Sequence, residues 1–100
     1  MSKSILQSDE LIRCFVTHET RGRYGQPLER HHVLNGALRD FAEREGLWIW
    51  VTPEVHRWLH DTGQGVMIQK NVLKRYAQIV YERTHSREEW MRQVHKNYDV

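Results

Sequence analysis

RHHVLNGALRDFAEREGLWIWVTPEVH, from Arg30 to His56, is the stretch that decides how this chain is read. It opens on adjacent histidines, His31 and His32, and closes on His56, 24 residues after the second. Arg30 to Leu34 has an extended pattern. Neighbours on a strand point to opposite faces, so His31 and His32 are expected to do different jobs. Ala37 to Glu45 places Leu38, Phe41 and Ala42 on one helical face, and Gly46 is a natural terminator. Leu47 to Val51 is a short continuous apolar run, read as a buried strand. Thr52-Pro53-Glu54 has the form of a helix start: Thr as cap, Pro in the first turn, an acid beside it. The helix it opens carries Val55, His56, Trp58, Leu59 and His60 and is expected to stop near Asp61-Thr62-Gly63. A strand and a helix joined in this way can bring one imidazole of the pair to His56, where the two share a cation. The other imidazole is then free to act as a base beside that cation.

Outward from this unit the signals are simpler. Residues 1–10 are polar and are expected to form a mobile arm. Leu11 to Thr17 (LIRCFVT) reads as a strand, and the Gly- and Pro-containing stretch after it as a loop holding Arg21 and Arg23. Downstream, the spacing predicts a helix over about 69–83 with Val72, Tyr76, Ile79 and Val80 on its buried stripe. Ser86-Arg87-Glu88-Glu89 has the capping-box pattern, opening a last helix over about 87–97 that buries Trp90, Met91 and Val94. One domain of the α+β class, over residues 11–100, accommodates all of this. Its strand–helix–strand–helix unit spans about 28–62.

Composition narrows the class of function without fixing it. The 100 residues are 39% hydrophobic and 28% charged, in the range of a globular domain rather than a disordered chain. The net charge is only +2, but 11 of the 15 cationic side chains are Arg, whose planar fork suits phosphate. Five of those arginines fall between Arg13 and Arg39 against Glu19 and Glu29, which makes a local basic surface there plausible. Cys14 is the single cysteine, so neither an intramolecular disulfide nor a cysteine-rich zinc site can form. The opening residues have no apolar core of signal-peptide length, and no segment is long enough to span a bilayer. A cytosolic location with no membrane partner is the expectation.

The histidines admit a plainer reading too. Adjacent histidines arise by chance, and His56 and His60, four apart on one helix face, could line solvent. His18, His85 and His95 sit in polar surroundings and receive no role. Trp48 and Trp50, alternating on one strand face, read as core; Trp58, Trp90, Tyr76 and Tyr81 fall at packing intervals. Tyr24, in the Arg-containing loop, is the exception.

RCFVTHE, RHHVLNGALRDFAEREGLWIWVTPEVH and the closing EEWMRQVHKNY resemble small phage and prophage proteins related to the HNH (His-Me finger) endonucleases, over about Cys14 to Tyr98. The resemblance implies a ββα-metal core with additional C-terminal helices, gripping one divalent cation and cutting double-stranded DNA with an activated water. By position, His31 resembles the first metal ligand, His32 the general base and His56 the helix ligand. His60 is added as a metal ligand on its i, i+4 spacing from His56, and Arg21, Arg23, Arg30 and Arg39 are expected as phosphate contacts. The cation could be Mg, Mn, Ni or Zn. Members of the family commonly carry a zinc knuckle, but here Cys14 is accompanied by Thr17, Thr52 and Val55, so no structural zinc is expected. The Asn that orients the base in many such enzymes has no clear counterpart, since Leu47 stands where it would fall. Two functions are thus carried forward: an HNH-type endonuclease or nickase acting on DNA, and a catalytically silent relative that binds DNA or a host protein. Dimerisation and a phage protein partner stay open.

Overall fold

The apolar run 47–51 lies at the centre of the molecule. In the computed structural model, which describes residues 3–8 and 10–100, Leu47, Ile49 and Val51 have no exposed surface. Strand β2 (Trp48–Val51) pairs antiparallel with β1 (Glu29–His32), setting His31 opposite Ile49 and His32 opposite Trp48. Period-two alternation splits the hairpin into two faces. Ile49, Val51 and His31 turn to the core. On the other face the rings of Trp48 and Trp50 meet edge-on at 5.2 Å, and the Arg30 guanidinium lies 4.2 Å over Trp48. Trp48 is buried as the sequence suggests; Trp50 is only half-buried.

The connection between the strands is a short 3-10 turn (Gly36–Leu38) and α1 (Arg39–Glu45). Gly46 ends α1 in the left-handed region at φ 74°, and a Cβ there would lie 2.1 Å from the Lys3 carbonyl oxygen, so no other residue fits. Helix α2 (Pro53–Asp61) begins where the cap signal puts it: Thr52 Oγ1 accepts the Val55 N–H at 3.1 Å. Val55 and Leu59 pack inward, which leaves His56 and His60 along a neighbouring flank.

The N-terminal side departs from the sequence reading. Residues 11–17 are not a strand. Phe15 N–H donates to the Trp50 carbonyl at 2.8 Å, and the chain then turns, with His18 left-handed at φ 66°. Side chains cover the outer edge of β2 instead: Ser4 Oγ donates to the Trp48 carbonyl at 2.5 Å, and Trp50 N–H donates to Gln7 Oε1 at 3.0 Å. An edge satisfied this way needs no third strand. The same contacts anchor the segment expected to be a mobile arm. Leu6 is buried, and Ile5 N–H donates to the Gly46 carbonyl at 2.9 Å. Residues 1, 2 and 9 of that arm lie outside the described residues.

The helix expected from about 69 begins earlier. Helix α3 (Gly63–Met67), a π-helical stretch (Ile68–Leu73) and α4 (Lys74–Tyr81) form one continuous run. Gly65 lets the run start hard against α2, since a Cβ there would meet the Trp58 carbonyl oxygen at 2.0 Å. Val80 is buried as expected and Tyr76 packs partly buried against the core, but two positions of the expected stripe turn outward across the π turn. Leu73, Ala77, Val80 and Tyr81 are buried, whereas Val72 is 53% exposed and Ile79 37%. Helix α5 (Arg87–Val94) opens on the full capping box of Ser86 and Glu89 and stops short of 97, because His95 takes the left-handed conformation. The result is an α+β domain of four helical runs and a two-stranded antiparallel sheet among the described residues. None of its helices is long and apolar enough to cross a membrane.

Candidate metal centre

His31, on the core face of β1, and His56 and His60, one turn apart on α2, come together. Their ring centroids form a near-equilateral triangle with sides of 5.3, 5.3 and 5.0 Å. Each offers one nitrogen to a common point, with the three nitrogens within 4.8 Å of one another, close enough to bind a metal ion. Metal–nitrogen bonds of about 2.1 Å place ligand nitrogens roughly 3–3.5 Å apart, so the widest separation needs to close by roughly 1.5 Å. The exposed His60 has the freedom to do so.

Hydrogen bonding selects the nitrogen that each ring presents. His31 is 1% exposed, and its Nε2 lies 2.5 Å from Gln69 Oε1. The Gln69 amide is oriented from its other end, where Nε2 donates to the Val33 carbonyl at 2.6 Å. An amide oxygen only accepts, so His31 carries its proton on Nε2 and keeps the Nδ1 lone pair free. That Nδ1 is buried and has no protein partner. An orphaned buried acceptor is costly. Glu29 Oε1 holds His56 Nδ1 at 2.8 Å, which leaves His56 Nε2 as the donor atom. Burial, opposed by the Gln69 bond and reinforced by His56, His60 and His32, lowers the His31 pKa to about 4. The ring is therefore neutral at physiological pH and has no proton to lose on binding a cation.

His32 points away from this triangle, toward α1. Its Nε2 is buried 3.7 Å from Glu43 Oε1. Burial and the nearby Arg39 push its pKa down, against the opposing pull of Glu43. Glu43 also accepts from Arg30 Nη1 at 3.2 Å, so one carboxylate ties the second histidine to the guanidinium over Trp48. A cleft of about 170 Å³ at the edge of the hairpin joins all four histidines with Arg30, Arg39 and Asn35.

Of the four arginines expected to contact phosphate, Arg30 and Arg39 line this cleft. Arg21 bonds within its own loop, its Nη1 donating to the Gly25 carbonyl at 3.5 Å, and Arg23 lines a separate cleft with Asp61 and Thr62. Arg57, beside His56 in a groove shared with Glu29 and His60, takes up a position the sequence reading overlooked. Gln69, Glu29 and Glu43 were likewise overlooked. Only Glu29 carried any signal, lying two residues before His31 on the same strand face.

Thr17 and Thr52 both lie against Cys14. Cys14 is fully buried; burial pushes its thiol up, but hydrogen bonds with Thr17 and with the backbone of Thr17, Thr52 and Val16 outweigh this and leave it below its usual range. Thr52 in turn caps Val55. Comparison of the chain with protein-family models, with curated proteins and with solved structures finds no match.

Proposed function

We propose that this protein is a metal-dependent DNA endonuclease or nickase of the HNH kind, built on a ββα-metal unit in β1, β2 and α2. The observation that carries this reading is the gathering of buried His31, with an unpartnered Nδ1, and of His56 and His60 close enough to bind one metal ion, one residue from a histidine that faces the other way. The approach of Thr17 and Thr52 to Cys14 supports the likeness to that family, with a hydrogen-bonded thiol in place of a zinc site.

His31, His56 and His60 would hold the cation. When bound, it supplies positive charge against the charge that develops on the phosphate and the leaving oxygen. An all-imidazole set suits Ni, Zn or Mn better than Mg. Gln69 and Glu29 fix the tautomers of two ligands. His32 is the base. With its Nε2 buried toward Glu43, the Nδ1 side takes a proton from the attacking water, a role worth about 10²–10⁴-fold. As the water oxygen bonds to phosphorus, the bond from phosphorus to the leaving sugar oxygen breaks, and that oxygen takes a proton from solvent. Glu43 acts as the positioning residue in place of the missing Asn, and Arg39 and Arg57 contact the flanking phosphates. A single such centre cuts one strand at a time.

The test is nicking of supercoiled plasmid with Mg, Mn, Ni and Zn, beside His32→Ala and His56→Ala. Cleavage by the parent that both substitutions abolish is expected. A folded protein that binds DNA and cuts with none of the four ions would replace this reading by the silent relative.

A further inference from the structure

Three of the chain's four lysines meet in one place: Lys70, Lys74 and Lys96 line a cleft of about 640 Å³ with Arg75, Asn71 and Tyr98. None of its residues belongs to the histidine cleft. Lys70 follows Gln69 directly, but the helix buries Gln69 against His31 and leaves Lys70 exposed.

The positive charge here is not consumed internally. Among the described residues, no carboxylate lies within ion-pair distance of these three lysines, and the neighbouring acid, Asp99, is already shared between Arg75 at 3.4 Å and Arg87 at 2.9 Å. The Lys74 and Lys96 ammonium groups flank the Tyr98 ring at 5.4 and 5.1 Å. Burial, and secondarily the proximity of Lys70, draw the Lys74 pKa down. The wall that carries Lys96 is fixed: the buried Trp90 donates its indole N–H to the Lys96 carbonyl at 2.8 Å, and Tyr98 N–H donates to the fully buried Gln78 at 2.6 Å.

We infer that this cleft is a second phosphate-binding site that holds the backbone of a nucleic-acid strand, separate from the histidine centre. Lysine heads are point charges that neutralise phosphates without the bidentate fit of Arg, and the cleft is far larger than one phosphate needs. With the Tyr98 ring already flanked by two ammoniums, the site reads backbone rather than stacking bases. This inference does not depend on the histidine chemistry.

The experiment is a salt titration of binding to a fluorescent 20-base-pair duplex, in EDTA so that nothing is cut, comparing the full chain with Lys70→Gln/Lys74→Gln/Lys96→Gln. Each lost phosphate contact lowers the slope of log K against log salt by about 0.9, so the triple variant is expected to lose about 2–3 from its slope. Replacing the same residues by Arg, which keeps the charge, should restore it. A slope unchanged by the Gln variant overturns the inference. So does competition by inorganic phosphate in the low-millimolar range, which would mark a free-anion site instead. Plasmid nicking at low salt reads the histidine centre separately. Nicking with an unaltered slope would reject this site alone, and a reduced slope without nicking would reject only the nuclease.

Discussion

Gln69→Leu cuts the link between the π turn and the metal centre. The substitution nearly conserves volume but removes two buried hydrogen bonds, from His31 Nε2 to Oε1 and from Nε2 to the Val33 carbonyl. Both partners are shut off from water, with His31 1% and Val33 0% exposed. Leaving a buried donor or acceptor unmade costs about 1–3 kcal/mol, and the added apolar contact returns a part, so the net loss is about 3 kcal/mol. A domain of this size loses roughly 4–8 °C per kcal/mol, which puts the fall in Tm at about 12–24 °C. His31 also loses the acceptor that fixes its tautomer, and the removal of such an outer partner weakens metal binding by about 10–100-fold. Urea denaturation read by tryptophan fluorescence measures the first effect, and calorimetric titration with zinc under conditions where the variant is folded measures the second. A variant that unfolds at the parent's midpoint and binds zinc equally well would refute both the tautomer assignment and the role of the π turn.

Four further outcomes follow from the same structure. Leu73→Ala should destabilise by about 2–5 kcal/mol and Val72→Ala by less than about 0.5 kcal/mol; the reverse order in urea would place the buried stripe one residue back. The metal-free protein should lose stability on acidification, because His31 resists protonation down to about 4 when folded but takes a proton near 6.5 when unfolded. Its contribution is complete above about pH 6.5 and falls by about 3 kcal/mol toward pH 4, and His31→Leu should flatten that slope in thermal melts at stepped pH. Zinc at 100 times its Kd should add about 2.7 kcal/mol to the parent and nothing to His56→Ala, measured as a shift of the urea midpoint. Glu43→Gln should lower kcat for nicking with little change in KM or in zinc affinity, whereas an equal loss of metal binding would make Glu43 a structural prop of the centre.

What the sequence disclosed and what it hid divide along physical lines. The cap at Thr52, the stop at Gly46, the apolar run 47–51 and the capping box at Ser86 are local signals, and the structure places each element where they indicate. The N-terminal segment misled because LIRCFVT has strand composition, but it gives the edge of β2 a single bond, from Phe15 N–H to the Trp50 carbonyl, while the Ser4 and Gln7 side chains take the Trp48 carbonyl and the Trp50 N–H, a non-local solution. The buried stripe of the long helical run was legible at Val80 and Tyr76 but not at Val72 and Ile79, because periodicity assumes an unbroken α-helix and cannot anticipate a π turn. At the site, the i, i+4 spacing of His56 and His60 was readable, as was the opposite facing of His31 and His32. Gln69 and Glu43 were not, since they arrive from separate helices and only the tertiary fold brings them to those rings.

The central claim is that one cation sits on His31, His56 and His60 while His32 stays free. Ring-nitrogen ¹⁵N spectra of the histidines during a zinc titration test it most directly. His31 Nδ1 and His56 Nε2 are expected to move to coordinated shifts together with one His60 nitrogen, with His32 unchanged and still titratable. Coordinated shifts on His32, or no change at His31 with zinc in excess, would contradict it.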